Sequence, residues 1–208
     1  MLISLSDLSA QNVRAPQLEV YLSLNHTQVR LCQSTPYFDG YKALLDVGLG
    51  FKYYFFASKR FNLIPGLEYN QYRFSFEKMS YSHYGLLYDV SYYLRRFTLP
   101  LSFRYNWGST IKIIAQAGVF GEIVNDTQKE TYANQFPDLN GDHPSEKVKY
   151  EVGAESNYGY HFGLGTSLPI SKFRINAILE YRHGLSPLND DYEPFTLDVI
   201  RMNIGFVF

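Results

Sequence analysis

The sequence predicts an all-β chain: a closed eight-stranded antiparallel transmembrane β-barrel, with short turns at one end and long loops at the other. Three observations predict it. Eight segments alternate apolar and polar residues with period two, the mark of strands whose two faces meet different surroundings. The connections between those segments alternate short and long. Aromatic residues form 17% of the chain, 19 Tyr and 16 Phe against one Trp, and they gather toward strand ends.

The strands follow in order. Leu18, Val20, Leu22 and Leu24 alternate with Glu19, Tyr21, Ser23 and Asn25. Leu45, Val47, Leu49, Phe51, Tyr53 and Phe55 alternate with Asp46, Gly48, Gly50, Lys52 and Tyr54. Phe61, Leu63, Pro65, Leu67 and Tyr69 oppose Asn62, Ile64, Gly66, Glu68 and Asn70. Phe97, Leu99, Leu101, Phe103, Tyr105 and Trp107 oppose Thr98, Pro100, Ser102, Arg104 and Asn106. Ile113, Ala115, Ala117 and Val119 oppose Lys112, Gln116, Gly118 and Glu122. Tyr158, Tyr160, Phe162, Leu164, Leu168 and Ile170 oppose Gly159, His161, Gly163, Gly165 and Ser167. Phe173, Ile175, Ala177, Leu179 and Tyr181 oppose Arg174, Asn176, Glu180 and Arg182, and Ile200, Met202, Ile204, Phe206 and Phe208 oppose Arg201, Asn203 and Gly205.

Short connections fall at 57–60, 108–110 and 171–172, and longer polar ones near 26–42, 76–88, 125–156 and 186–195. Tight turns on the periplasmic side and long loops outside are the arrangement of an outer-membrane barrel. Strands of ~10 residues cross the hydrocarbon layer when tilted, and closure removes the unpaired edges that lipid cannot satisfy. No run of ~18 apolar residues offers a spanning helix. Basic and acidic residues nearly balance, 19 against 20, which argues against a nucleic-acid groove.

Alternation by itself does not say which face points outward. The polar face carries Glu19, Asp46, Glu68, Glu122 and Glu180 with Lys52, Arg104, Lys112, Arg174, Arg182 and Arg201, interleaved with glycines. Mixed charges among glycines suit a narrow lumen plugged by ion pairs. The apolar face then meets lipid, its aromatic ends forming interfacial girdles. The last strand, Ile200, Met202, Ile204, Phe206 and Phe208, resembles the assembly signal of bacterial outer-membrane proteins, which implies the outer-membrane assembly machinery as a partner. Residues 17–208 read as the barrel domain; residues 1–16 read as a signal-peptide remnant or a disordered N-terminus.

The strand Phe97-Thr-Leu-Pro-Leu-Ser-Phe-Arg-Tyr105 resembles the aromatic–x–Leu/Ile–Pro–Leu–x–x–x–Tyr strand of the PorT-like outer-membrane β-barrel family of Bacteroidetes. Gly66-Leu-Glu-Tyr69, Gly163-Leu-Gly165, Tyr181-Arg-His-Gly-Leu185 and the signal-like Leu8-Ser-Ala-Gln11 are similar to it as well. The resemblance implies an eight-stranded barrel of the bacterial outer membrane and no single activity. Some members of that family serve the gliding-associated, type IX, secretion system.

No enzyme motif emerges. His183 and Ser186, with Asp190, Asp191 and Glu193 nearby, suggest a lipid-modifying set at a strand end, but their spacing favours a rim histidine and a loop serine. Asp138-Leu-Asn-Gly-Asp142 has oxygen ligands suited to calcium without the full loop spacing, so it reads as a turn. His161 reads as part of the lumen, and Cys32 as an incidental thiol. Arg73, Lys78, Arg95, Arg96 and Arg182 near the loop end read as rim charges, with lipid A phosphates as a rival reading.

The expectation is therefore a monomeric, non-enzymatic barrel with no catalytic, metal or cofactor site. Its loops 26–42 and 125–156 would be displayed for binding. Its partners would be outer-membrane lipid and lipopolysaccharide, the assembly machinery, and a secretion-complex component or surface ligand.

Overall fold

The computed structural model describes residues 17–31, 41–55, 60–81, 86–134, 145–151, 156–190 and 193–208. It contains β1 (Gln17–Leu31), β2 (Tyr41–Ala43), β3 (Leu45–Tyr54), β4 (Phe61–Tyr81), β5 (Leu86–Trp107), β6 (Lys112–Asn134), β7 (Ser145–Glu151), β8 (Asn157–Ile170), β9 (Phe173–Gly184), β10 (Leu188–Asp190) and β11 (Glu193–Val207). Eight of them run in the order β1-β3-β4-β5-β6-β8-β9-β11, every neighbouring pair antiparallel. The ring closes where β1 pairs with β11, from Glu19↔Val207 to Leu31↔Phe195. The three short strands extend the wall: β2 on β4, β7 on β6 and β10 on β11.

The faces follow the alternation. Along β3 every odd residue from Leu45 to Tyr53 is exposed and every even one is buried. Leu49, Leu101, Val119, Phe162, Leu179 and Ile204 all point outward into an exposed apolar belt that circles the barrel. A belt of that extent is a surface for hydrocarbon rather than water.

Two tight turns close the lower end. Gly108 takes a left-handed backbone, φ 108°, where a Cβ would collide with the carbonyl of Ile111. Ser171 takes φ 55° in the two-residue link between β8 and β9, as such hairpins require.

The upper end departs from the sequence reading. Within the expected loops 76–88 and 125–156, residues 76–81, 86–88, 125–134 and 145–151 are strand: β4, β5 and β6 run for 21, 22 and 23 residues, and β4 and β5 stay paired up to Tyr81↔Leu86. About ten residues suffice to cross the hydrocarbon, so these strands rise well beyond it.

On β4, outward Leu67 and Tyr69 give way to Gln71 and Arg73, while inward Glu68 and Asn70 give way to buried Tyr72 and Phe74. On β5, going up, Leu99 and Phe97 yield to Arg95 outside, and Arg96 yields to Leu94 and Tyr92 inside. On β11, outward Ile200 yields to Asp198 and Thr196, and inward Arg201 to Val199, Leu197 and Phe195. The period of two persists, but its polarity inverts where the outer face leaves lipid and enters water. Above that line the barrel packs like a soluble one. Tyr72, Phe74, Tyr92, Leu94, Phe195, Leu197 and Val199 form a buried apolar tier inside it, with Phe74 stacked on Tyr92 at 5.0 Å.

Candidate functional site

Below the apolar tier, inward side chains from most of the wall meet across the bore. An eight-stranded barrel leaves an interior just wide enough for side chains. The centre is Glu68 on β4. It accepts from Arg182 Nη2 of β9 and Arg201 Nη1 of β11, each at 2.8 Å, and from the Tyr21 hydroxyl of β1. Glu180 on β9 accepts from Arg182 Nε at 2.8 Å and lies 3.2 Å from Arg201 Nε. Gln116 Nε2 donates to its second oxygen at 2.5 Å, and His161 Nδ1 lies 3.4 Å from that oxygen.

One layer lower, Arg104 Nη1 donates to Glu19 at 3.1 Å, while its Nε and Nη2 donate to Gln116 at 3.2 and 3.0 Å. Tyr54 donates to the same Glu19 oxygen at 2.5 Å. Lys52 faces Glu19 across the β1–β3 ladder, its Nζ 4.2 Å from the centroid of the Tyr21 ring. Glycines let the bore narrow here: a Cβ at Gly50 would land on Tyr21, and one at Gly205 would lie 2.6 Å from Glu19.

One layer higher, Glu122 on β6 accepts from Arg96 Nη1 at 2.9 Å, Asn157 at 3.1 Å and Tyr72 at 3.0 Å. Sequence reasoning put Arg96 at the rim. It is buried inside the bore, because it shares the parity of Thr98 and Arg104 on a strand that starts well before residue 97. Arg182 is likewise fully inside, which removes both from any rim that could meet lipid phosphates. Extending the β5 alternation backward by one step is the signal that could have found Arg96.

Three of the charges read from sequence as lumenal stand apart from this network. Asp46 accepts the Arg73 backbone N–H at 2.5 Å and Nε at 2.6 Å, stapling β3 to β4 where their regular pairing ends. Lys112 and Arg174 line the lower mouth with Gln17, Asn62, Asn106, Ser167 and Asn176. Arg174 there donates to Ser167 Oγ at 2.9 Å and to the Thr110 carbonyl at 2.9 Å. The five residues Ile200, Met202, Ile204, Phe206 and Phe208 lie along the outer face of the closing strand, where the Phe208 ring packs edge-on to Phe173 at 5.2 Å.

His183 makes its polar contacts with Asp198, Arg30 and Tyr181 rather than with Ser186. His183 Nδ1 lies 2.9 Å from Asp198, and no hydrogen bond among the described residues joins Ser186 to it. Asp191, Cys32, residues 138–142 and residues 1–16 lie outside the described residues, as do the side chains of Lys78, Asp190 and Glu193.

A family model described as an outer membrane protein beta-barrel domain matches residues 9–190. Among solved structures, a major outer membrane protein from Thermus thermophilus is similar at a TM-score of 0.51, with 9% identity over 94% of this chain and 100% of that one. Neisserial surface protein A follows at 0.47, with 9% identity over 91% and 95%. The Ail protein of Yersinia pestis follows at 0.45, with 13% identity over 94% and 100%. A search of curated proteins found no match. With the family model covering most of the chain and the ring of strands closed, this protein belongs to the outer membrane protein beta-barrel domain family and resides in the bacterial outer membrane.

Proposed function

We propose that the protein is a monomeric, non-enzymatic barrel with a plugged lumen that serves as a rigid platform for its extracellular hairpins. The observation that carries this reading is the ion-pair layer spanning the bore, in which Glu68, Glu180, Arg182 and Arg201 are all essentially inaccessible to solvent. The apolar tier above it doubles the obstruction. Rigid walls carrying the β4–β5 and β6–β7 hairpins far above the membrane suit recognition of a partner or surface ligand. Planar-bilayer recordings of the purified protein are expected to show no large, stable conductance. Porin-sized steps would end the plugged-lumen reading and move transport to the front.

A second reading, an accessory component of a type IX secretion complex in Bacteroidetes, rests on the resemblance of Phe97–Tyr105 to the strand motif of PorT-like barrels. Purification in mild detergent separates the two: stable co-elution of secretion-complex proteins favours the second.

The outer face of β11 supports its role as the assembly signal. Phe208 donates its backbone N–H to the Leu18 carbonyl at 2.9 Å, so the last residue also takes part in closing the ring. Deleting Phe208 is expected to lower the folded, heat-modifiable fraction on unboiled gels. An unchanged fraction would remove the signal from this strand.

A further inference from the structure

On the outer wall, where the polarity of the faces inverts, four strands bring a compact polar cluster together. Going up β11, outward Met202 and Ile200 are followed by Asp198 and Thr196. On β1, Leu22 and Leu24 are followed by His26, Gln28 and Arg30. On β9, Leu179 is followed by Tyr181 and His183. The register sets Arg30 beside Thr196, and Asp198 beside His183, which faces Tyr160 on β8. The cluster therefore sits directly above the apolar belt, at the depth where lipid headgroups begin.

Its geometry is built rather than incidental. Arg30 Nε donates to Thr196 Oγ1 at 3.2 Å, and its Nη2 lies 3.2 Å from His183 Nε2 and 3.7 Å from Asp198. His183 Nδ1 lies 2.9 Å from Asp198 and 3.4 Å from the Tyr181 hydroxyl. Tyr160 flanks the imidazole with ring centroids 4.8 Å apart. Asp198 and His183 are only about one-seventh exposed, while the Arg30 side chain is 53% exposed. The acid thus lies against the wall within ion-pair distance of both side chains, and the guanidinium stands out above them. Among the described residues none accepts a hydrogen bond from Arg30 Nη1, which leaves one edge of the guanidinium fork open.

An open guanidinium edge beside an imidazole and a phenol hydroxyl matches tetrahedral phosphate oxygens better than it matches sugar hydroxyls. Anionic headgroups draw basic side chains at this depth, and the apolar belt immediately below would hold the acyl chains of the same molecule. We propose that this outer-wall cluster binds the phosphate of an outer-leaflet lipid headgroup, with Arg30 as the clamp and His183 and Tyr181 completing the contact. No bond is made or broken. The site is separate from the lumen, so it stands or falls independently of the plugged-barrel reading.

Native mass spectrometry of the folded, detergent-purified chain tests it. Three probes are used: bis-phosphorylated lipid A, the same lipid without its phosphates, and inorganic phosphate. The phosphorylated lipid is expected to be retained at least tenfold better than the dephosphorylated one. The double variant Arg30→Gln, His183→Gln should lose that preference while remaining heat-modifiable on gels. Lys42→Gln, an exposed lysine on β2 opposite Ser75, should retain the lipid as the unaltered chain does. Equal retention of both lipids, or undiminished retention by the double variant, would overturn the proposal. Displacement of the lipid by inorganic phosphate would assign the site to free phosphate and overturn the lipid source.

Discussion

Glu68→Ala is expected to destabilise the barrel by about 3–5 kcal/mol, the range for breaking a buried pair by removing one partner. Two guanidinium groups depend on that carboxylate, Arg182 and Arg201 at 2.8 Å each, and neither can reach water. Glu180 holds both from the other side, so the lost interaction is shared and the cost stays within the range of a single broken pair. Removing Arg73 from Asp46 serves as the contrast. That arginine is nearly half exposed while Asp46 is buried, and truncation leaves Asp46 the Arg73 backbone N–H, so the cost is expected to fall below that of Glu68→Ala. Urea titration of the refolded protein in micelles measures both. A Glu68→Ala change no larger than that of Arg73→Ala would show that the central layer is hydrated and that the ion pairs do not hold the bore closed.

Leu101→Arg carries the second large effect, ~2–4 kcal/mol for an arginine on the lipid face near the midplane. Leu101 is 44% exposed between outward-facing Pro65 and Val119, at the middle of the apolar belt. A substitution such as Lys147→Ala on β7 should leave folding into lipid vesicles unchanged, because β7 pairs with the part of β6 beyond the ~10 residues that cross the hydrocarbon. Equal tolerance of the two substitutions would mean that the faces are inverted.

Within the belt the sequence was a faithful guide, and the reason is local. Side chains on a strand alternate regardless of what the strand pairs with, so Leu45 to Tyr53 or Phe97 to Trp107 declare their lipid face one residue at a time. Strand number and the face of each strand followed from that period. Strand length did not. Tyr72 and Phe74 inside, with Arg73 outside, carry the same period with opposite polarity. A reading that expects apolar residues outward takes such a stretch for a loop. Only the pairing of β4 with β5 reveals that the strand continues.

The charges divide in the same way. Their types and parity placed Glu19, Lys52, Glu68, Arg104, Glu122, Glu180, Arg182 and Arg201 on the inner face from sequence alone, and the structure has all of them buried. Which acid meets which base was not legible. The Arg104–Glu19 contact joins residues 85 positions apart, and Arg201–Glu68 joins residues 133 apart. Those distances depend on the stagger accumulated around the closed ring, which no single strand encodes. Arg30, His183 and Asp198 meet on the outer wall for the same reason: closing β1 onto β11 brings the two ends of the chain to one seam. A strand's two faces are legible in its own residues, because alternation is a property of one strand. The tertiary structure decided the partners and the height at which polarity inverts, because both depend on how all eight strands are staggered and on where the wall leaves the lipid.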